Sequence, residues 1–225
     1  MAPAMQLRSA TEDVAHLFVD FSNLWYAIRA EAARRGDPEW AVRLHAANLR
    51  HILAGGRPVA DSVLVANREI PGSVLDRFRP FFNVELVESG RVTGKEQAGD
   101  ELLQNAIYRS ILRAATPGTV VVATGDGAGW SAGRGFCETL SASRRQGFGV
   151  EVASFEASLN RTLRGLADKV GAVVSLDPFY ESITFLEHLR PARQPSLVHR
   201  PSAAPRVWSI RDEEAMIRRT EVMAA

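Results

Sequence analysis

The stretch "HLFVDFSNLW" ends an apolar run on Asp20 and places Asn23 three residues further on. A second run, "TVVVATGDG", delivers Asp126 between two glycines, and "GKEQAGDELL" sets Asp100 at the opening of a helical pattern. Carboxylates gathered at one place repel one another unless a cation lies among them or some are protonated. Hard oxygen donors of this kind, with an amide beside them, suit Mg²⁺ or Mn²⁺ and not zinc. Such ions activate water and stabilise a leaving oxygen, which is the chemistry of phosphodiester hydrolysis. Asp20, Asn23, Asp100 and Asp126 are therefore candidate catalytic groups, with the three aspartates as candidate metal ligands.

Each residue also has a plainer use. Asp100 suits a helix N-cap, Asp20 and Asn23 suit a polar turn that starts a helix, and Asp126 suits an ordinary glycine turn. Glu101 suits the first turn of a helix for its dipole, and Glu156 is a reserve acid at the end of a later apolar run. The conjunction carries the catalytic reading, since one residue of the set would mean little. The five histidines show no ligand spacing, and the single cysteine, Cys137, excludes a cysteine metal cage and an internal disulfide framework.

Convergence of these residues depends on the elements that carry them. Apolar, β-branched runs recur at residues 16–21, 61–67, 82–89, 119–126, 150–156 and 172–177, the pattern of strands buried on both faces. Helical patterns lie between several of them. In "DELLQNAIYRSILRAA" Leu102, Leu103, Ala106, Ile107 and Ile111 fall at spacings of three and four, and "SLNRTLRGLADKVG" repeats the stripe with Leu159, Leu163, Leu166 and Val170 before Gly171. Alternating strands and helices predict an α/β domain of three layers over about residues 14–190, with a mainly parallel sheet. Ligands in such folds bind outside the carboxyl ends of the strands. If the first and fourth runs are neighbours, Asp20 and Asp126 meet in one notch, with Asp100 facing it.

Composition sets outer bounds. Of 225 residues, 46% are apolar, enough for a substantial core. Because 27 Lys and Arg balance 26 Asp and Glu, a polyanion would have to be held by a local basic surface. No stretch approaches the ~18 apolar residues of a membrane span, and the first residues have no signal-peptide pattern, so a cytoplasmic protein is expected. From residue 191 to 206 the chain is proline-rich and reads as a linker. Residues 207–225 read as a short helical tail in which Trp208, Ile210, Met216 and Ile217 could dock on the domain, on a second copy or on a protein partner.

In order, spacing and strand context over about residues 15–180, the chain resembles the NYN domains, relatives of the PIN-domain ribonucleases. "VDFSNLW" matches the first motif through Asp20 and Asn23, "GKEQAGDELL" the second through Lys95 and Asp100, and "VVATGDG" the third through Thr124 and Asp126. The resemblance implies a Rossmann-like three-layer PIN/NYN fold and a Mg²⁺- or Mn²⁺-dependent endoribonuclease acting on single-stranded or structured RNA. It also implies an Asp20, Asp100 and Asp126 metal site, with Lys95 and Thr124 among the groups near the substrate. Two acids common in the family are replaced, by Ala128 in the third motif and by Asn105 and Ala106 in the middle helix, which implies weaker or single-metal binding; a NYN subgroup also lacks the later acid.

RNA binding needs phosphate contacts and aromatic faces for unpaired bases. Lys95, Trp130, Arg134, Asn160 and Arg161 flank the same predicted sheet end, as do Trp25 and Tyr26, although aromatic residues beside a core strand more often pack than stack. Two other readings stand beside the nuclease. "GAGWSA" matches G-x-G-x-x-A, with Glu151 and Glu156 as candidate ribose-binding acids of a Rossmann nucleotide-binding domain. A third reading keeps the fold without the chemistry, as an RNA-binding or scaffolding module.

Overall fold

The computed structural model describes residues 13–88, 97–125 and 135–193. Lys95, Asp126, Ala128, Trp130, Arg134 and the tail of residues 207–225 lie outside the described residues, as does the linker beyond residue 193.

Six strands, β1 (Ala15–Asp20), β3 (Val59–Asn67), β4 (Asn83–Val87), β5 (Thr119–Ala123), β6 (Gly149–Ser154) and β7 (Ala172–Ser175), form one parallel sheet in the order β4-β3-β1-β5-β6-β7. Each of the six apolar runs supplies one strand. Two three-residue strands, β2 (Val42–Leu44) and β8 (Thr184–Leu186), pair antiparallel as a separate ribbon.

Burial on both faces explains the continuous apolar runs. Leu17 and Val19 of β1, with Val121 and Ala123 of β5, join the core beneath α1 (Phe21–Arg35) and α2 (Ala46–Ala54). Phe18, Val120 and Val122 point the other way, toward α4 (Gln97–Arg113), α5 (Phe136–Arg145) and α6 (Arg161–Val170). Two short helices, α3 (Gly72–Leu75) and α7 (Tyr180–Ile183), complete the set. The result is the three-layer, Rossmann-like α/β architecture that the sequence predicts. Among the described residues, no helix is long and apolar enough to cross a membrane.

From β1 the chain builds outward through β3 and β4, then crosses back by α4 to β5 on the other side of β1. The strand order therefore reverses between β1 and β5. Crevices at such a switch point, outside the carboxyl ends of the strands, are where open α/β sheets bind ligands. The register pairs Val19 with Ala123, so Asp20 and Thr124 arrive level with each other at this crevice.

Candidate active site

Asp20 ends β1 and is also the N-cap of α1. Its backbone is extended (φ −81°, ψ 96°), and its Oδ1 accepts the Asn23 backbone N–H at 3.0 Å, the bond by which an N-cap satisfies an orphan donor of the first turn. The other carboxylate oxygen accepts the hydroxyl of Thr124, a fully buried residue, at 3.2 Å. A helix N-terminus also favours negative charge here. The turn reading and the site reading of Asp20 are thus both true of one side chain.

Asn23 reaches across to the neighbouring strand end. Its Oδ1 accepts the backbone N–H of Gly125 at 2.7 Å, and the Gly125 carbonyl in turn accepts the Asn160 N–H at 2.8 Å. The three segments after β1, β5 and β6 are clasped together at Gly125. Only glycine fits there: a Cβ would lie 2.6 Å from the Ser158 carbonyl oxygen and 3.0 Å from both Asn23 Oδ1 and Ser154 Oγ. The clasp thus holds the residue immediately before Asp126.

Asp100 lies within the first turn of α4, which begins at Gln97, so the N-cap use of Asp100 is corrected: the helix starts three residues earlier. As a crossover between parallel strands, α4 runs back against them and presents its N-terminus at the carboxyl end of the sheet. A Cβ on Gly99 would touch Val87 Cγ2 at 3.8 Å, which sets this turn beside the last residue of β4. Among the described residues, no group of three or more His, Cys, Asp or Glu side chains is gathered to hold a metal ion. The donor chemistry of Asp20 and Asp100 suits a hard divalent cation, and the third carboxylate of the expected set, Asp126, lies outside the described residues.

An open cleft of about 530 Å³ adjoins the clasp, with Asn23, Tyr26, Gly125, Ser158, Asn160 and Arg161 among its lining. Asn160 caps α6 by accepting the Thr162 N–H at 2.8 Å. The two neighbouring aromatics separate. Trp25 is half-buried, stacked on Phe21 at 5.9 Å with the Arg43 guanidinium 5.8 Å from its ring, whereas Tyr26 is 67% exposed in the cleft. Ser154 and Ser158 border the clasp, as the groups that a side chain at Gly125 would strike, and no local sequence pattern marks them.

Other polar residues of the strands and their exits are exposed or paired. Glu156 is exposed and paired with Arg164, and Glu101 is exposed on the first turns of α4. At the end of β3, Asn67 Oδ1 accepts the Glu69 N–H at 3.0 Å, and Arg68 pairs with Glu88. Glu151 is 2% exposed and bidentate with Arg57, at 2.9 and 2.8 Å, so it is a buried ion-pair partner and not a ribose-binding acid. In a Rossmann nucleotide site the glycine turn follows the first strand. Here β1 is followed by Phe-Ser-Asn, and the glycine turn follows β5.

No protein-family model matches the chain, and no curated protein does. Among solved structures, a Vibrio parahaemolyticus protein of unknown function aligns with a TM-score of 0.55 at 19% identity, over 76% of this chain and 96% of its own. That likeness shows the fold alone. Bna3p of Saccharomyces cerevisiae aligns at 12% identity over 73% of this chain and 44% of its own, and its TM-score of 0.27 carries no argument.

Proposed function

We propose that the protein is a metal-dependent endoribonuclease whose site is the crevice between β1 and β5. The observation that carries this reading is the Asp20 carboxylate, fixed through both oxygens at the switch point and beside the clasped residue that precedes Asp126. Asp20, Asp100 and Asp126 would hold Mg²⁺ or Mn²⁺, which when bound lowers the pKa of water and neutralises charge at a leaving oxygen. The chain's own groups do the positioning. Thr124 and the α1 N-terminus aim the Asp20 carboxylate. With its carbonyl engaged by Gly125, Asn23 offers its amide NH₂ to a substrate phosphate. Lys95, Trp130, Arg134, Asn160 and Arg161 form the substrate rim in this reading. The lone cysteine, buried and held above the usual thiol pKa by desolvation, suits a reducing cytoplasm. The tail of residues 207–225 is the segment for self-association or a protein partner.

A second reading, RNA binding without cleavage, is favoured by Ala128 in place of the second third-motif acid. One assay separates the two: cleavage of labelled RNA with Mn²⁺, Mg²⁺ or EDTA, by wild type, Asp20→Asn and Asp126→Asn. Asparagine caps helices as well as aspartate, so Asp20→Asn should keep its melting temperature while cleavage falls by about 100-fold or more, since even groups outside a metal's ligand set cost 10- to 100-fold. Equal cutting by the Asp20→Asn protein, or cutting in EDTA, overturns the nuclease mechanism.

A further inference from the structure

We propose that the cleft along α1 is a track for two or three unpaired nucleotides leaving the switch point, with Tyr26 as the base platform and Arg161 as a phosphate contact. This rests on the reading of RNA as the ligand and deepens it, because it makes the substrate single-stranded and gives it a path.

Asn23, Tyr26, Ala27 and Ala30 fall at i, i+3, i+4 and i+7, so they share one face of α1 and form one wall of the cleft. Seven residues at about 1.5 Å rise span about 10 Å. A stacked strand advances about 3.4 Å per nucleotide, so that length takes two or three. The track begins at Asn23 and Gly125, where the clasp lies, and runs away from it along the helix.

The lining suits bases and phosphates. Ala27, Ala30, Gly125 and Ala157 are small, leaving room beside the tyrosine ring. Tyr26 is exposed although the other aromatics of α1, Phe21 and Trp25, pack together. No carboxylate lines the described cleft. Across from α1, Arg161 is exposed and makes no ion pair among the described residues, while its neighbour Arg164 is taken by Glu156. The end of α6 is already capped by Asn160, so the guanidinium, not the helix terminus, is the cation of this wall. Bases within a double helix have no free faces to lay on Tyr26, whereas those of a single strand do.

The test is binding of a short fluorescein-labelled single-stranded RNA, followed by anisotropy in EDTA so that no cutting intervenes. Tyr26→Ala should weaken binding about 5- to 150-fold, the range of one lost base stack, and Tyr26→Phe should bind as wild type. Arg161→Ala should weaken binding and reduce the slope of log K against log salt by about 0.7, one phosphate contact. A duplex of the same sequence should compete poorly. Both side chains are exposed, so unchanged melting temperatures will show that the variants are folded. The track is overturned if wild type binds no RNA, if both alanine variants bind like wild type, or if duplex competes equally. Tyr26-dependent binding by a protein that never cuts retains the track and removes the nuclease reading; cutting by a protein whose two alanine variants both bind like wild type does the reverse.

Discussion

The side-chain carbonyl of Asn23 accepts the backbone N–H of Gly125 at 2.7 Å, joining positions 102 residues apart. Through this bond the first turn of α1 holds the exit of β5, while the Thr124 hydroxyl ties the same exit to Asp20. The candidate site is therefore built from two strand ends that are neighbours only because the sheet order reverses between them.

Asn23→Ala leaves the Gly125 N–H without its acceptor, at a cost of about 1–3 kcal/mol for a buried donor. The expected result is a lowered denaturant midpoint, together with a loss of RNA cleavage that persists at temperatures where the variant is fully folded. Asn23→Asp keeps an acceptor oxygen and should recover most of the stability. If Asn23→Ala is as stable as wild type, the clasp is not holding the β5 exit.

Two glycine substitutions should move in opposite directions. Gly125→Ala drives a Cβ to 2.6 Å from the Ser158 carbonyl oxygen, a backbone atom that cannot swing aside, and should destabilise by about 1–3 kcal/mol while narrowing the cleft. Gly165→Ala, inside α6 with nothing within 4 Å of the new Cβ, should stabilise by up to about 1 kcal/mol. Urea unfolding of the two variants beside wild type checks both signs.

Stability should fall below neutral pH through His16. This residue is 4% exposed on β1, its Nδ1 lies 2.8 Å from Ser110 Oγ, and its ring meets Phe148 edge-on. Burial holds its pKa below 6.5, with the charges of Asp61 and Asp13 opposing. The unfolded chain takes up a proton below about pH 6.5 that the folded protein refuses until its lower pKa is reached, so stability is lost as the pH falls through that interval. Melting temperatures from about pH 7.5 to about pH 5.5 should show this fall, and the His16→Gln variant should lose that component of it.

Much of the fold was legible because the sheet is buried on both faces, which turns each strand into a continuous apolar run. All six runs correspond to strands. The β2–β8 ribbon was not legible: three residues are too few to display a period, and the ribbon exists only because residues 42–44 and 184–186 meet in space. Glu151 shows the same limit in the site. Its position after a valine in an apolar strand left a ribose-binding role open, and the Arg57 guanidinium that claims it comes from 94 residues away.

By itself, the sequence determined that Asp20 ends a strand and opens a helix, that glycine follows Thr124, and that the chain alternates strand with helix, because these depend on local capping, turn geometry and apolar periodicity. Tertiary structure alone decided that β1 and β5 are neighbours, that Asn23 spends its carbonyl on Gly125, and that Tyr26 faces the cleft while Trp25 packs on Phe21. Adjacent helical residues point about 100° apart, and which of those directions is core and which is open is set by what the rest of the chain places against the helix.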